Sequence, residues 1–173
     1  MSNISHTPKL PTAKATPLLL CLSALIITLA SSAATITGVV TRVSDGDTIQ
    51  VSGVSSQGSV EEKFKVRLDR IDAPEKDQEW GKESTQYLKD LIYRKTVTVE
   101  YTKRDQYGRI LGIVYHDGKD INLEMVSTGN AWHYSYFDKT PAYIEAEKKA
   151  RESKIGLWSK PNTIKPYDWR RRK

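Results

Sequence analysis

Three short motifs carry the residues of this chain that are best suited to chemistry. They are Asp45-Gly46-Asp47-Thr48, the run from Arg67 to Asp72-Ala73-Pro74-Glu75, and Asp105-Gln106-Tyr107-Gly108-Arg109. Together they offer carboxylate oxygens for a hard cation, two arginines for a phosphate group, and one further carboxylate that can act on water. These are the components needed to hydrolyse a phosphodiester bond.

Carboxylates in the first two motifs are the candidate metal ligands. Asp45 and Asp47 flank a glycine between two β-branched runs, and Asp72 and Glu75 follow the end of a third run. Carboxylates that converge on one point repel each other by several kcal/mol, and a bound cation relieves this. Because all the donors are oxygens, calcium or magnesium is favoured over zinc. The alternative for the first motif is a type I′ hairpin turn with solvated acids.

Arg67 and Arg109 are the candidate phosphate ligands, since guanidinium groups bind phosphate oxygens bidentately. Arg67 lies five residues before Asp72. This odd spacing puts the two on opposite faces of a regular strand, so a bulge or bend must lie between them. Arg109 follows a glycine that allows a tight turn, and its alternative is a turn arginine paired with Asp105. Glu75 is the candidate base that activates water; alternatively, it is an acid that stabilises a helix N-terminus.

A cluster of aromatic residues follows these motifs: Trp132, His133, Tyr134, Tyr136 and Phe137. About half of it is expected in the core. The remainder, with Tyr107, is suited to stacking on an exposed base, which contributes about 1–3 kcal/mol per base. His116 and His133 are interpreted as structural, because no carboxylate or second histidine lies at a suitable spacing for a metal site or dyad.

Strands and helices are needed to bring these motifs together. Alternating and β-branched runs predict strands over 36–43, 48–51, 60–71, 96–101 and 110–115, and helical spacing predicts helices over 80–92, 121–127 and 141–154. A helix inserted after the third of five strands suits an α+β protein, a five-stranded OB-fold β-barrel with about three packed helices. A generic α+β sheet is the alternative that the strand count leaves open.

Residues 1–34 have the pattern of a secretory signal peptide. Two lysines precede an apolar stretch over 18–30, and small residues follow, so cleavage is expected near Ala33 or Ala34. The stretch is shorter than the about 20 residues that span a bilayer, which disfavours an uncleaved anchor. Cys21 is the only cysteine of the chain, so the exported domain has neither a disulfide nor a thiolate metal site.

The remaining chain suits one domain over 35–160 and a basic tail over 161–173, whose like charges predict disorder. The signal segment carries two of the 27 Lys and Arg and none of the 21 Asp and Glu, which leaves a net charge of +4. A positive excess favours polyanionic partners without specifying one. Secretion or a periplasmic location is expected from the signal.

In these motifs the chain resembles the thermonuclease family, the staphylococcal-nuclease-like domains, over about residues 37–158. The closing Gly156-Leu157-Trp158-Ser159 adds to the three motifs. The resemblance implies an OB-fold. It also implies Ca²⁺-dependent hydrolysis of DNA and RNA with little sequence preference, giving 3′-phosphate ends.

The resemblance also implies roles for individual residues. The metal ligands are Asp47, Asp72 and the backbone carbonyl of Ala73, which stands where the family commonly has threonine. The catalytic residues are Arg67, Glu75 and Arg109. Asp45 is similar to a family acid that lies next to the metal ligands without binding the ion itself. Gln106 departs from the basic residue often found at its position, so one phosphate contact of the family is not carried over.

The sequence therefore predicts an exported Ca²⁺-dependent endonuclease that acts on DNA and RNA. It is expected to be a monomer with no stable membrane association after signal cleavage. One alternative is a non-catalytic nucleic-acid-binding module on the same fold, but an inactive relative would be expected to lack some of the acids or arginines that are present here. The other is a secreted calcium-binding or adhesion domain, which leaves both arginines unexplained.

Overall fold

A computed structural model describes residues 33–172, in which strands come mainly from the first part and helices from the second. The predicted signal segment, apart from its last two residues, lies outside the described residues, so its cleavage stays a prediction. Between residues 33 and 172, no helix has the length and apolar character needed to cross a membrane.

Within residues 33–172, five long strands form the barrel, one two-residue strand extends its sheet, and two others pair in a small separate sheet. The strands are β1 Ala34–Asp45, β2 Thr48–Ser55, β3 Glu62–Leu68, β4 Ile71–Asp72, β5 Thr96–Arg104, β6 Ile110–His116, β7 Lys119–Asp120 and β8 Trp132–His133. The main sheet has the order β3-β2-β1-β5-β6-β7, and β3 also pairs with β6 in parallel, which closes it. The predicted five-stranded OB-type barrel of the α+β class is confirmed.

In the part of the chain that the structure describes, four α-helices and one 3-10 helix accompany the barrel. They are α1 Gly81–Ile92, α2 Ile121–Ser127, α3 Pro141–Glu152, the 3-10 helix Gly156–Ser159, and α4 Pro166–Arg170. The α2 helix has its predicted bounds because Asp120 accepts the Leu123 N–H as an N-cap and Gly129 follows with a left-handed φ of 68°.

The barrel interior is filled by alternate residues of the strands. Buried examples are Ile36, Val40, Ile49, Val51, Val66, Leu68, Val97, Val99, Ile110 and Val114. The α1 helix adds Leu88 and Ile92, which lie one turn apart on its inner face. Burying each such side chain stabilises the fold by about 1.5–3 kcal/mol. This core holds α1 and the ends of β1 and β3 in fixed positions, and the candidate site lies there.

The predicted strand over 60–71 is wrong in one respect that matters for the site. The β3 strand ends at Leu68, and Arg70 then adopts a left-handed φ of 67°. The chain turns there, and β4 pairs with β8 instead of continuing the barrel. Arg67 and Asp72 therefore lie on different strands, which removes the difficulty raised by their odd spacing.

The tail over 161–173 was expected to be disordered, but Pro166–Arg170 form the α4 helix. The Gln78 side chain donates to the Ile164 carbonyl at 2.6 Å, and the Trp169 indole donates to Asp77 at 3.3 Å. Arg170 contacts acids of the domain. Like charges in the tail repel each other, but contacts with the domain offset this repulsion.

Candidate active site

The β1–β2 turn places Asp47 inside the protein. Neither Gly46 nor Asp47 has a positive φ, so the turn is not of type I′, and Asp47 is 4% exposed instead of solvated. A Cβ on Gly46 would lie 2.0 Å from Ser84 Oγ and 2.7 Å from Ala73 Cβ. Glycine is thus needed here for close packing against α1 and the segment after β4.

Asp47 is held by hydrogen bonds at both carboxylate oxygens. Its Oδ2 accepts the Ala73 N–H at 2.8 Å, and its Oδ1 accepts the Thr48 hydroxyl at 3.1 Å and pairs with Arg67 Nη1. Burial alone would raise the pKa of Asp47, but the Arg67 charge and the Ala73 amide outweigh it, so the pKa is lowered. Burial and the neighbouring Asp47 charge raise the pKa of Asp45 to about 6.

Arg67 joins the two acids that the sequence singled out as metal ligands. While its Nη1 contacts Asp47, its Nη2 donates to Asp72 Oδ1 at 2.7 Å. Burial opposes the charge on Arg67, but the two carboxylates raise its pKa further. Burial raises the pKa of Asp72, and the Asp47 charge adds to this, while contacts with Arg170 and Arg67 oppose it. The structure thus brings Asp47, Asp72 and Arg67 together.

The donors at this centre fit a hard cation. Asp47 and Asp72 are buried carboxylates that already face one positive group, and Ala73, whose carbonyl is a ligand implied by the family resemblance, is adjacent. Over residues 33–172, no three His, Cys, Asp or Glu side chains are grouped to hold a metal ion. Two carboxylates with backbone, water and phosphate oxygens match the way calcium and magnesium are bound at substrate sites.

Glu75 lies beside Asp72 and shares a partner with it. Arg170 Nη1 contacts Glu75 Oε1 at 2.8 Å, and the same guanidinium contacts both oxygens of Asp72 at 3.1 and 3.2 Å. The Glu75 side chain is about one third exposed, so solvent reaches it. Sequence reasoning missed Arg170, and the signals that could have found it were Pro166 at a helix start and two aromatic residues within the tail.

Arg109 is held at the β5–β6 turn. Its Nε contacts Asp105 Oδ2 at 2.6 Å, and Asp105 Oδ1 accepts the backbone N–H groups of Tyr107 and Arg109, both at 2.9 Å. Burial would raise the pKa of Asp105, but these contacts outweigh it and lower the pKa. The pairing with Asp105 is the alternative considered from the sequence. Because β3 and β6 pair in parallel with Val66 opposite Ile110, Arg109 nevertheless precedes the strand that neighbours Arg67.

A cavity of about 460 Å³ adjoins Asp72. Its lining includes Tyr134, Tyr136, Phe137, Lys165 and Tyr167. Trp132 and His133 are buried, whereas Tyr136 is 80% and Phe137 73% exposed, so the aromatic cluster divides into core and surface as expected. Tyr107 is exposed on the β5–β6 turn and is not part of this lining.

His133 has a carboxylate partner that the sequence analysis overlooked. Its Nε2 lies 2.8 Å from Asp138 Oδ2, five residues away. Asp138 also accepts the Thr140 hydroxyl at 2.7 Å and the Thr140 N–H at 3.1 Å. Burial would raise the pKa of Asp138, but these contacts outweigh it and lower the pKa. Since His133 is buried and Asp138 secures the start of α3, the pair has a structural role.

Comparison with known proteins gives a consistent result. A family model described as staphylococcal nuclease homologue matches residues 65–160. An "Uncharacterized endonuclease" of Escherichia coli is 47% identical over 81% of this chain and 88% of its own length. A "Micrococcal nuclease" of Shigella flexneri is 44% identical over 78% of this chain and 80% of its own. An "Uncharacterized endonuclease" of Haemophilus influenzae is 42% identical over 76% and 71%. The chain therefore belongs to the family of staphylococcal nuclease homologues, as its three motifs predicted.

Proposed function

We propose that the protein is an exported, Ca²⁺-dependent endonuclease that hydrolyses DNA and RNA with little sequence specificity and leaves 3′-phosphate ends. Membership of a nuclease family supports an endonuclease function. The observation that carries the site assignment is the bridge that Arg67 makes between Asp47 and Asp72. It shows that acids from two separate segments share one positive charge.

The carboxylates of Asp47 and Asp72 and the carbonyl of Ala73 would hold the calcium ion. Calcium bound there would polarise the phosphate and orient water. Burial of both carboxylates strengthens their interaction with a cation, because few water molecules screen it. Hydrogen bonds from Ala73 N–H and the Thr48 hydroxyl fix the Asp47 carboxylate before any ligand arrives.

Glu75 is the residue proposed to take a proton from the attacking water. Its Oε1 is close enough to Asp72 that one guanidinium spans both side chains. Its partial exposure gives water access to it. General-base groups of this kind contribute about 10²–10⁴ in rate.

Arg67 and Arg109 are proposed to stabilise the negative charge that develops on the phosphate oxygens. Arg109 uses Nε for Asp105, and a guanidinium carries four further N–H groups that can bind phosphate. Asp105 is then a positioning residue that sets the direction of Arg109. Arg67 would exchange carboxylate oxygens for phosphate oxygens when a cation takes over the neutralisation of Asp47 and Asp72.

The cavity beside Asp72 is proposed to receive the nucleoside next to the phosphate that is cleaved. Its aromatic walls offer stacking surfaces that accept any base, and Lys165 offers a positive charge to the backbone. Stacking uses the face of a base and does not read its hydrogen-bonding edge, which agrees with little sequence specificity. The residue pattern gives no basis for choosing between DNA and RNA, so both are proposed as substrates.

Digestion of nucleic acid under defined metal conditions tests this function. Purified protein is incubated with supercoiled plasmid, or with RNA, in Ca²⁺, Mg²⁺ or EDTA, and the product ends are analysed. The proposal expects cleavage in Ca²⁺ with 3′-phosphate ends, no cleavage in EDTA, and little cleavage by Arg67→Ala. Intact nucleic acid in Ca²⁺ would contradict it, and a gel shift without cleavage would favour the non-catalytic binding module.

Export is tested separately. The full chain is expressed with its N-terminal segment, and the protein is recovered from the periplasm and medium. Mass spectrometry should give a product that begins close to Thr35 if the signal is cleaved. Recovery of intact protein from the cytoplasm alone would contradict export without affecting the nuclease proposal.

A further inference from the structure

The α4 helix lies directly against the acids proposed for catalysis. Its last residue, Arg170, places Nη1 2.8 Å from Glu75 Oε1 and 3.2 Å from Asp72 Oδ1, and Nη2 3.1 Å from Asp72 Oδ2. One guanidinium therefore contacts both oxygens of the proposed metal ligand and one oxygen of the proposed base.

Two further contacts hold the tail against the same short segment. Trp169 Nε1 donates to Asp77 Oδ1 at 3.3 Å, and Gln78 Nε2 donates to the Ile164 carbonyl at 2.6 Å. The tail is thus fixed at Ile164, Trp169 and Arg170 to residues 72–78. Pro166 and Tyr167 complete one wall of the cavity that adjoins Asp72.

In this arrangement the tail competes with the cation and with the attacking water of the proposed reaction. A cation at Asp72 needs the oxygens that Arg170 contacts, and a water molecule activated by Glu75 needs Oε1. Arg170 is about 40% exposed, so its contacts are screened by water and are weaker than those of a buried pair. A contact of this strength can open reversibly.

We propose that α4 is an internal competitor at the active site, in which Arg170 occupies Asp72 and Glu75 until calcium and substrate displace it. This inference rests on the proposed function, since it assumes that Asp72 and Glu75 serve calcium and water. The apparent calcium association constant is then the intrinsic constant multiplied by the fraction of molecules in which α4 is undocked. By linkage, calcium binding must loosen α4 to the same extent that α4 weakens calcium binding.

Calcium affinity of point variants tests the proposal without relying on activity. Arg170→Ala removes the competing guanidinium, and Arg172→Ala removes the same charge from an exposed residue of the same tail. Binding is measured by calorimetry and by terbium luminescence. Arg170→Ala should bind calcium about three- to tenfold more tightly than the unchanged protein, and Arg172→Ala should match the unchanged protein.

A second variant weakens the docking of α4 at a residue that contacts neither Asp72 nor Glu75. Trp169→Phe removes the indole donor to Asp77 and should shift calcium affinity in the same direction by a smaller factor. Hydrogen exchange supplies the reciprocal measurement: amides of residues 166–170 should exchange faster in saturating calcium than in EDTA. Circular dichroism at each step verifies that the variants are folded.

The outcomes separate this inference from the proposed function. If the unchanged protein binds calcium and cleaves DNA but Arg170→Ala binds calcium no more tightly, the competitor is disproved and the enzyme stands. If Arg170→Ala instead loses most of its cleavage rate at saturating calcium with unchanged affinity, Arg170 serves the substrate and the competitor is again disproved. If neither the unchanged protein nor any variant binds calcium, both the competitor and the calcium-dependent nuclease are disproved.

Discussion

Asp47 Oδ2 accepts a hydrogen bond from the Ala73 N–H at 2.8 Å, across 26 residues of sequence. This bond ties the β1–β2 turn to the segment after β4. Because Asp72 directly precedes Ala73, the bond also sets how closely the Asp47 and Asp72 carboxylates approach each other. Arg67 then contacts both of them with one guanidinium. The arrangement of the site therefore depends on close packing of a turn against a loop.

Gly46→Ala tests this packing. The added methyl group would meet Ser84 and Ala73, so the turn must move away from Ala73. We expect a loss of about 1–3 kcal/mol in the free energy of unfolding and weaker calcium binding. Urea denaturation and calcium calorimetry measure the two effects. Gly58→Ala is the matched control, since a Cβ there meets nothing within 4 Å; equal stability of the two variants would contradict the packing argument.

Arg67→Ala leaves two buried carboxylates without their shared counter-charge. Breaking a buried ion pair in this way costs about 3–5 kcal/mol, so the variant should melt well below the unchanged protein in EDTA. Calcium replaces the missing charge and should raise the melting temperature of Arg67→Ala more than that of the unchanged protein. Thermal unfolding in EDTA and Ca²⁺ measures this, with exposed Arg42→Ala as the control. An equal calcium effect on all three proteins would show that the acids do not share a cation.

Asp105→Ala tests the role of Arg109 without changing the proposed metal ligands. Without the Asp105 carboxylate, Arg109 Nε loses its partner, and the backbone N–H groups of Tyr107 and Arg109 lose their acceptor. Misplacing one group that stabilises the transition state costs about 10²-fold or more in rate. We therefore expect a large fall in kcat with unchanged calcium affinity. A variant that cleaves at the normal rate would show that Arg109 does not depend on Asp105 for its position.

The stability of the protein should depend on the charge of Asp45. Burial and the Asp47 charge raise its pKa from 3.8 to about 6 in the folded state. As the pH rises, the unfolded chain therefore loses its proton first, and the stability contributed by protonated Asp45 is lost between about pH 4 and pH 6. Asp45→Asn does not ionise and escapes this loss.

Urea denaturation in EDTA at pH 4, 5, 6 and 7.5 measures the effect of Asp45→Asn. Its free energy of unfolding, relative to the unchanged protein, should rise by about 1–3 kcal/mol from pH 4 to pH 7.5. Saturating calcium should narrow the difference, because a nearby cation favours the ionised acid. A difference that stays constant with pH would show that Asp45 titrates normally.

Much of the fold was predictable because local patterns and tertiary packing agree. The α2 helix had its predicted bounds, since Gly129 marks its end in the sequence and Asp120 caps its start in the structure. The barrel strands followed from alternation. The break after Leu68 was not predictable. It depends on Arg70 adopting a left-handed backbone conformation, which is usually signalled in a sequence by glycine.

The structure brings three of the predicted site residues together through contacts that the sequence did not predict. The types of Asp47, Arg67 and Asp72 identified them, whereas their shared ion pair depends on a turn and a strand break. Arg170 lies 98 residues from Asp72, and its local sequence indicated disorder. Contacts between such distant segments depend on the whole fold, so local patterns do not reveal them.

Initial cleavage rates of Glu75→Gln test whether Glu75 activates water at a phosphodiesterase active site. The substitution keeps the shape of the side chain and removes its ability to take a proton. Glu79→Gln makes the same change at an exposed acid four residues away. With plasmid DNA in saturating calcium, we expect a rate about 10²–10⁴-fold lower for Glu75→Gln and a nearly unchanged rate for Glu79→Gln. Equal rates for the two variants would contradict the assignment of this centre as a phosphodiesterase active site.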